Sequence, residues 1–186
     1  MAILKIAKMG SDVLKQESKA VVNPVDEGIA QLAHDMKNTL EDIGGNGLAA
    51  PQVHVSKRVV VYRIAEHQIP SSSRMKPLDW RTLINPVIKP LTDEKKPIWE
   101  RCLSIPGLHG QVPRYTKVRL QAMGLDCSSF EFTATGFHAM ILQHECDHLD
   151  GILYPMRMND LSTLAFNSEL GDKGFLVPRE PEEFSD

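Results

Sequence analysis

Residues 144–148 read His-Glu-Cys-Asp-His. On an α-helix, positions i and i+4 lie about 40° apart in azimuth and about 6 Å apart along the axis. Two imidazoles so placed can reach one metal ion. Glu145 sits about 100° from His144, so its carboxylate can flank that ion and act as a general base on water instead of serving as a ligand. Cys146 falls about 200° from His144 and is expected to point away, as a small core residue. Asp147 also faces away by helical phase. It is expected to pair with a buried cation, and Arg114 is the candidate.

The helix alone leaves the third ligand open. Downstream, Glu169 is the carboxylate at a suitable distance, in the manner of a zincin-like peptidase. Upstream, Cys102 lies in the strand-like run Trp99-Glu100-Arg101-Cys102-Leu103-Ser104, and a thiolate is a strong ligand for Zn²⁺ or Fe²⁺. A third segment reads Gly45-Asn46-Gly47-Leu48-Ala49-Ala50-Pro51-Gln52. Its glycines permit positive φ and close backbone approach. Ala49 and Ala50 keep a strand thin there, and Gln52 ends the run with an amide that can donate a hydrogen bond.

Two helices and several strands must position these groups. A first helix is predicted from about residue 24 to 43. Asn23 is its N-cap, Pro24 takes the first position, and Asp26 and Glu27 favour its positive end. Ile29, Leu32, Ala33, Met36, Leu40 and Ile43 share one face, and Gly44-Gly45 stops it. A second helix is predicted from near Gly136 to about Leu149, with Thr135 as N-cap and Gly151 beyond its end. It places Phe137, Met140, Ile141, His144 and His148 on one side. Strands are predicted at Ile3–Ile6, Arg58–Arg63, Leu83–Ile88, Ile98–Leu103, Val118–Met123 and Phe130–Thr135. Residues 65–79, with Pro70 and a serine run, read as a loop or hairpin connection. Short strands bracketed by helices imply an α+β fold, with antiparallel or mixed sheets packed around a central helix that carries the histidines.

The chain has 186 residues, 42% hydrophobic and 24% charged, which fits one globular domain and excludes wholesale disorder. Residues 1–160 are expected to form it, and 161–186 to form an acidic, partly mobile extension. A net charge of −3 gives no electrostatic reason to expect nucleic acid as a partner. No apolar run approaches the length of a membrane span. Three cysteines, Cys102, Cys127 and Cys146, argue against a disulfide framework and for a reducing, cytoplasmic compartment.

Together the three chemical segments resemble the peptide deformylase family. Residues 45–52 look like its GxGLAxxQ motif, Glu100 to Ser104 resembles EGCLS, and 144–148 matches HExDH, all in the right order. Ile105-Pro106, Gln143 and Leu149-Asp150-Gly151 are also similar, and the likeness runs to about residue 160. The resemblance implies one divalent ion, Fe²⁺ in many members with Zn²⁺, Ni²⁺ or Co²⁺ able to substitute, held by Cys102, His144 and His148. It implies that Glu145 carries the proton, and that the Gln52 amide and the Leu103 N–H stabilise the oxyanion. The implied reaction removes the N-formyl group from the formyl-methionine of new polypeptides and releases formate, with possible transient ribosome association.

A pocket for methionine is expected from Ile98, Phe137, Met140 and Ile141. Backbone groups around Gly45, Asn46, Gly47 and Arg101 are expected to pair with the peptide as an added strand. Glu100, on the same strand face as Cys102, is expected beside the substrate and within hydrogen-bonding reach of the ligands. Arg101 stands where the resembled motif has glycine. Neighbouring strand residues face opposite ways, so it should leave Cys102 in place, yet it can crowd or charge the groove rim. His109 is a second departure, replacing an arginine that would favour a peptide carboxylate. Two further readings are a zincin-like peptidase using Glu169 and a family member that binds formyl-peptides without turnover.

Overall fold

The computed structural model describes residues 2–69 and 75–170. In chain order its elements are α1 (Glu27–Ile43), β1 (Gly47–Ala49), β2 (Val59–Ile64), β3 (Leu78–Pro90), β4 (Lys95–Cys102), β5 (Ile105–Tyr115), β6 (Lys117–Met123), β7 (Ser129–Thr135), α2 (Gly136–Leu149) and β8 (Ala165–Phe166). All strand pairings are antiparallel. One sheet has the order β1-β2-β3-β6-β7 and the other β4-β5-β8. This is an α+β architecture.

Side-chain alternation explains the layers. In β6, Val118, Leu120 and Ala122 are buried while Lys117, Arg119 and Gln121 are exposed, so only one face of that strand meets the core. β2 is apolar on both faces, and both are used. Val60, Tyr62 and Ile64 join the cluster beneath α2, while Val59 and Val61 join the cluster beneath α1. The unbroken apolar run in β2 marks it as the strand between two helices. α2 is buried along its whole second half, from Ile141 to Leu149. It packs on β1, β3 and β7 of the larger sheet and on β5 of the smaller one.

Several elements differ from the sequence expectation. α1 starts at Glu27, because Asp26 and not Asn23 caps it: Asp26 Oδ1 accepts from Gly28 N at 2.8 Å. Asn23 instead closes a turn through its carbonyl, 3.3 Å from Asp26 N, and Pro24 lies within that turn. Gly44 ends the helix at φ 81° with its N–H on the Leu40 carbonyl. Ile43 is 41% exposed and faces away from the core. Residues 3–6 form no strand. Leu4 N bonds Thr39 Oγ1, Ala7 N bonds Gln52 O and Met9 N bonds Ser104 O; bonds to separate elements make no ladder.

No strand is predicted over β5, where Pro106, Gly107, Gly110 and Pro113 break up the local strand signal. β5 pairs with β4 from Lys95↔Tyr115 to Cys102↔Ile105. β3 extends beyond Leu83–Ile88 at both ends and kinks at Asn85, whose φ is 51°. The predicted connection at 65–79 contains a short 3₁₀ turn at Glu66–Gln68 and gives up Leu78 and Asp79 to β3, and residues 70–74 lie outside the described residues. The chain beyond 160 begins as part of the fold, since Leu108↔Phe166 and His109↔Ala165 pair. The expected mobility of the tail falls largely on residues 171–186, outside the described residues. Among the described residues no helix is long and apolar enough to cross a membrane.

Candidate metal centre

α2 presents His144 and His148 to the end of β4, where Cys102 closes a tight reversal against Ile105. The Cys102, His144 and His148 donor atoms all lie within 4.8 Å of one another. Cys102 Sγ is 3.3 Å from His148 Nε2. The two imidazole planes stand at 88° with centroids 4.9 Å apart, as expected for rings one helical turn apart aimed at one point.

Each donor is held by a second group. His144 Nδ1 donates to Glu100 Oε2 at 2.7 Å, which fixes the tautomer and leaves Nε2 as a lone-pair donor. Glu100 is itself gripped by Arg114, through Nε on Oε1 at 2.6 Å and Nη2 on Oε2 at 3.0 Å. Arg114 also donates to Asp147 Oδ2 at 2.6 Å, and Asp147 Oδ1 accepts from Arg157 at 2.8 Å. Burial opposes charge on Glu100, but the Arg114 guanidinium holds its carboxyl down to about 2. Cys102 Sγ accepts from Ser104 N at 3.4 Å and from Gln52 Nε2 at 3.5 Å. Burial raises its pKa, yet His148 and His144 hold the thiol well below the ordinary range. A thiolate and two imidazoles form a donor set that suits a borderline-soft divalent ion, which would bind the rings in their neutral form. Among the described residues, Glu145 Oε2 beside the trio is buried without a hydrogen-bond partner, a polar atom that a bound group or water there would satisfy.

Glu145 stands beside this trio. Burial pushes its carboxyl up to about 7, against the pull of both histidines. Its side chain occupies the space left by Gly47. A Cβ on Gly47 would lie 2.6 Å from Glu145 Cδ and 2.7 Å from Cγ. Gly45 and Gly47 both keep negative φ, so the expected conformational freedom is not why glycine is needed; close approach is. Gln52 Oε1 accepts from Ala49 N at 2.9 Å. The amide is thereby oriented, and its NH₂ faces Cys102 and Ser104 Oγ.

A cavity of about 750 Å³ opens over Cys102, His144 and Glu145. Gly45, Asn46 and Gly47 form one wall and Ile98, Trp99 and Arg101 the other, with Phe137, Met140 and Ile141 from α2 beneath. β1 and β4 are edge strands of their sheets, so both walls offer unpaired backbone groups to the cavity.

The sequence pattern of polypeptide deformylases matches residues 3–163. The chain belongs to the polypeptide deformylase family. It is 44% identical over 168 residues to peptide deformylase 1 of Nitrosomonas europaea, covering 90% of this chain and 94% of that protein. Peptide deformylase 1 of Prochlorococcus marinus is 38% identical over 176 residues, covering 95% of this chain and 91% of that protein. Among solved structures, class I type b peptide deformylase from Acinetobacter baumannii with Met-Ala-Ser bound superposes with a TM-score of 0.78 at 34% identity, over 84% of this chain and 99% of that one. The Thermotoga maritima peptide deformylase gives 0.75 at 28%, over 86% and 100%. Polypeptide deformylases are metal-dependent hydrolases.

Against that family frame, Glu169 is exposed, with its carboxylate accepting from its neighbour Ser168; the metal-binding group among the described residues omits it. Glu100 borders the cavity, but Arg114 and His144 engage both its carboxylate oxygens. These bonds hold the carboxylate toward Arg114 and His144. Leu103 lines the cavity, with its carbonyl held by Lys8 Nζ at 2.9 Å. His109 is buried, and its Nδ1 pairs with Asn167 Oδ1. Sequence reasoning missed Arg157, Tyr154, which stacks over His144 at 6.5 Å, and Ser104 as a donor to the thiolate. Only Ser104 carried a local signal, two residues beyond Cys102.

Proposed function

We propose that this protein hydrolyses the N-formyl group of formyl-methionyl peptides. Water adds across the formamide C–N bond, giving formate and a peptide with a free N-terminal amine. The observation that supports this best is a buried carboxyl poised near neutrality beside a thiolate and two imidazoles. Cys102, His144 and His148 would hold a divalent ion, Fe²⁺ in this reading, with Zn²⁺, Ni²⁺ or Co²⁺ able to occupy the same donors. When bound, such an ion supplies Lewis acidity to the formyl oxygen and acidifies water.

The protein's own groups supply the rest. Glu145 takes a proton from the attacking water and returns it to the departing amine, a role that needs a pKa near the working pH. Gln52 Nε2 and the Leu103 N–H donate to the oxygen on which charge develops; losing one such donor costs about 3 kcal/mol in barrier. The peptide lies between β1 and β4 as an added strand, and backbone pairing tolerates many sequences. Ile98, Phe137, Met140 and Ile141 receive the methionine side chain. Residues 1–160 form the catalytic unit in this reading, and 161–186 an extension of it. Nascent chains as substrates place the enzyme in the cytoplasm, with transient visits to ribosomes.

Formate release from formyl-Met-Ala-Ser, measured anaerobically with Fe²⁺ and in parallel with Zn²⁺, tests this. Turnover is expected with the wild type, and loss of both bound metal and turnover with Cys102→Ala. A metal-loaded wild type that releases no formate refutes the reading. Retention of metal by Cys102→Ala refutes the ligand set.

A further inference from the structure

β4 alternates strictly as it passes the cavity. Ile98, Glu100 and Cys102 are buried on one face, while Trp99 and Arg101 lie on the other. A peptide that pairs with the free edge of β4 must alternate in the same way. Its methionine goes to the face of Ile98 and Cys102, because Ile98 packs in one apolar cluster with Phe137 and Ile141 of α2. The next residue then falls on the face of Trp99 and Arg101, within the reach of cross-strand neighbours.

Arg101 is exposed and makes no ion pair among the described residues. Its partner across the strand pair is His109, which is buried and already bound to Asn167. The only other exposed charge among the described lining residues is Lys8, also positive; the carboxylates there, Glu100 and Glu145, are buried. The groove therefore shows the substrate one sign of charge at this position. A guanidinium also presents a planar fork that matches a carboxylate.

We propose that Arg101 makes this enzyme prefer formyl-methionyl peptides whose second residue is Asp or Glu. The proposal rests on the deformylase reading and on strand addition along β4. The pair sits at the rim, so the preference is modest: about fivefold in kcat/KM for an acidic over a neutral second residue, or about 1 kcal/mol. It arises mainly in KM, and it weakens as salt screens the pair.

The test uses the metal-loaded full chain and formate release from formyl-Met-Asp-Ala, formyl-Met-Ala-Ala, formyl-Met-Lys-Ala and formyl-Met-Ala-Asp. The wild type should rank the first three in that order, with formyl-Met-Ala-Asp close to formyl-Met-Ala-Ala. Arg101→Gly should flatten the ranking and Arg101→Glu should invert it. Equal kcat/KM for Asp, Ala and Lys in the wild type overturns the proposal but leaves the deformylase reading intact. An Asp preference that persists in Arg101→Gly, or that is as strong at the third residue, also overturns it. No formate from any peptide overturns both.

Discussion

Replacing Gly47 with alanine adds one methyl group where Glu145 already lies. The new Cβ would stand 2.6 Å from Glu145 Cδ. Ordinary contact begins near 3.4 Å, so the carboxyl group must retreat by about 0.8 Å, close to the 1 Å displacement that costs about 100-fold in rate. Glu145 is buried on α2, so it cannot yield by swinging into solvent. A drop in kcat of about 100-fold, or about 3 kcal/mol of barrier, is expected. Metal content should stay near stoichiometric, because the atoms nearest the added Cβ all belong to Glu145, which is not one of the three ligands. Formate release and metal analysis on the same preparation measure both quantities. Glu145→Gln supplies the reference, with a loss of 10²- to 10⁴-fold typical for a general base. If alanine acts only by displacing this carboxylate, the double variant Gly47→Ala/Glu145→Gln should be no slower than Glu145→Gln alone, since residues acting as one unit are not additive. Losses that multiply in the double variant, or a wild-type kcat in Gly47→Ala, would refute the packing argument.

Two further outcomes follow from buried charge. Arg114→Met leaves Glu100 and Asp147 without their shared cation. It should cost about 3–5 kcal/mol in urea unfolding and weaken metal binding by about 10- to 100-fold, because the anchor of His144 Nδ1 loosens; a loss below about 1 kcal/mol would show that Arg157 alone suffices for Asp147. His138 titrates in the opposite sense to a paired histidine. Burial, aided by Arg81, lowers its pKa from 6.5 to about 4, and its ring stacks on Phe132 and meets Tyr62 Oη at 3.2 Å. Above pH 6.5 both folded and unfolded forms are neutral there, and the stability from burying it is fully present. As pH falls, the unfolded chain takes up a proton that the fold refuses, and stability is lost between about 6.5 and 4. Between about pH 7.5 and 5 the wild type should lose about 2 kcal/mol more than His138→Asn, with metal loading held equal. Parallel losses in the two proteins would rule His138 out as the source.

What could be read in the sequence was what local periodicity encodes. His144 and His148 one turn apart, Asp147 on the opposite phase and the alternation of β6 each need only the geometry of one element, and the structure places them accordingly. Cys102 was ambiguous by itself, since a lone buried thiol has no local signature; three motifs in order singled it out. The failures have one physical origin, which is tertiary context overriding local signals. Prolines and glycines in β5 suggest turns, yet Pro97 and Pro113 face each other in register, and pairing with β4 outweighs the punctuation. Asn23 and Asp26 are both competent caps, and only the turn that Asn23 closes decides between them. Gly47 reads locally as backbone freedom or close approach, but what approaches it, a carboxylate 98 residues later in the chain, cannot be read there. The anchoring of His144 through Glu100, Arg114, Asp147 and Arg157 likewise spans four segments, so no window of sequence contains it. The two histidines announce themselves in the sequence because they share a helix turn; Cys102 and the groups that set the protonation and direction of the ligands do not, because long-range packing alone brings them together.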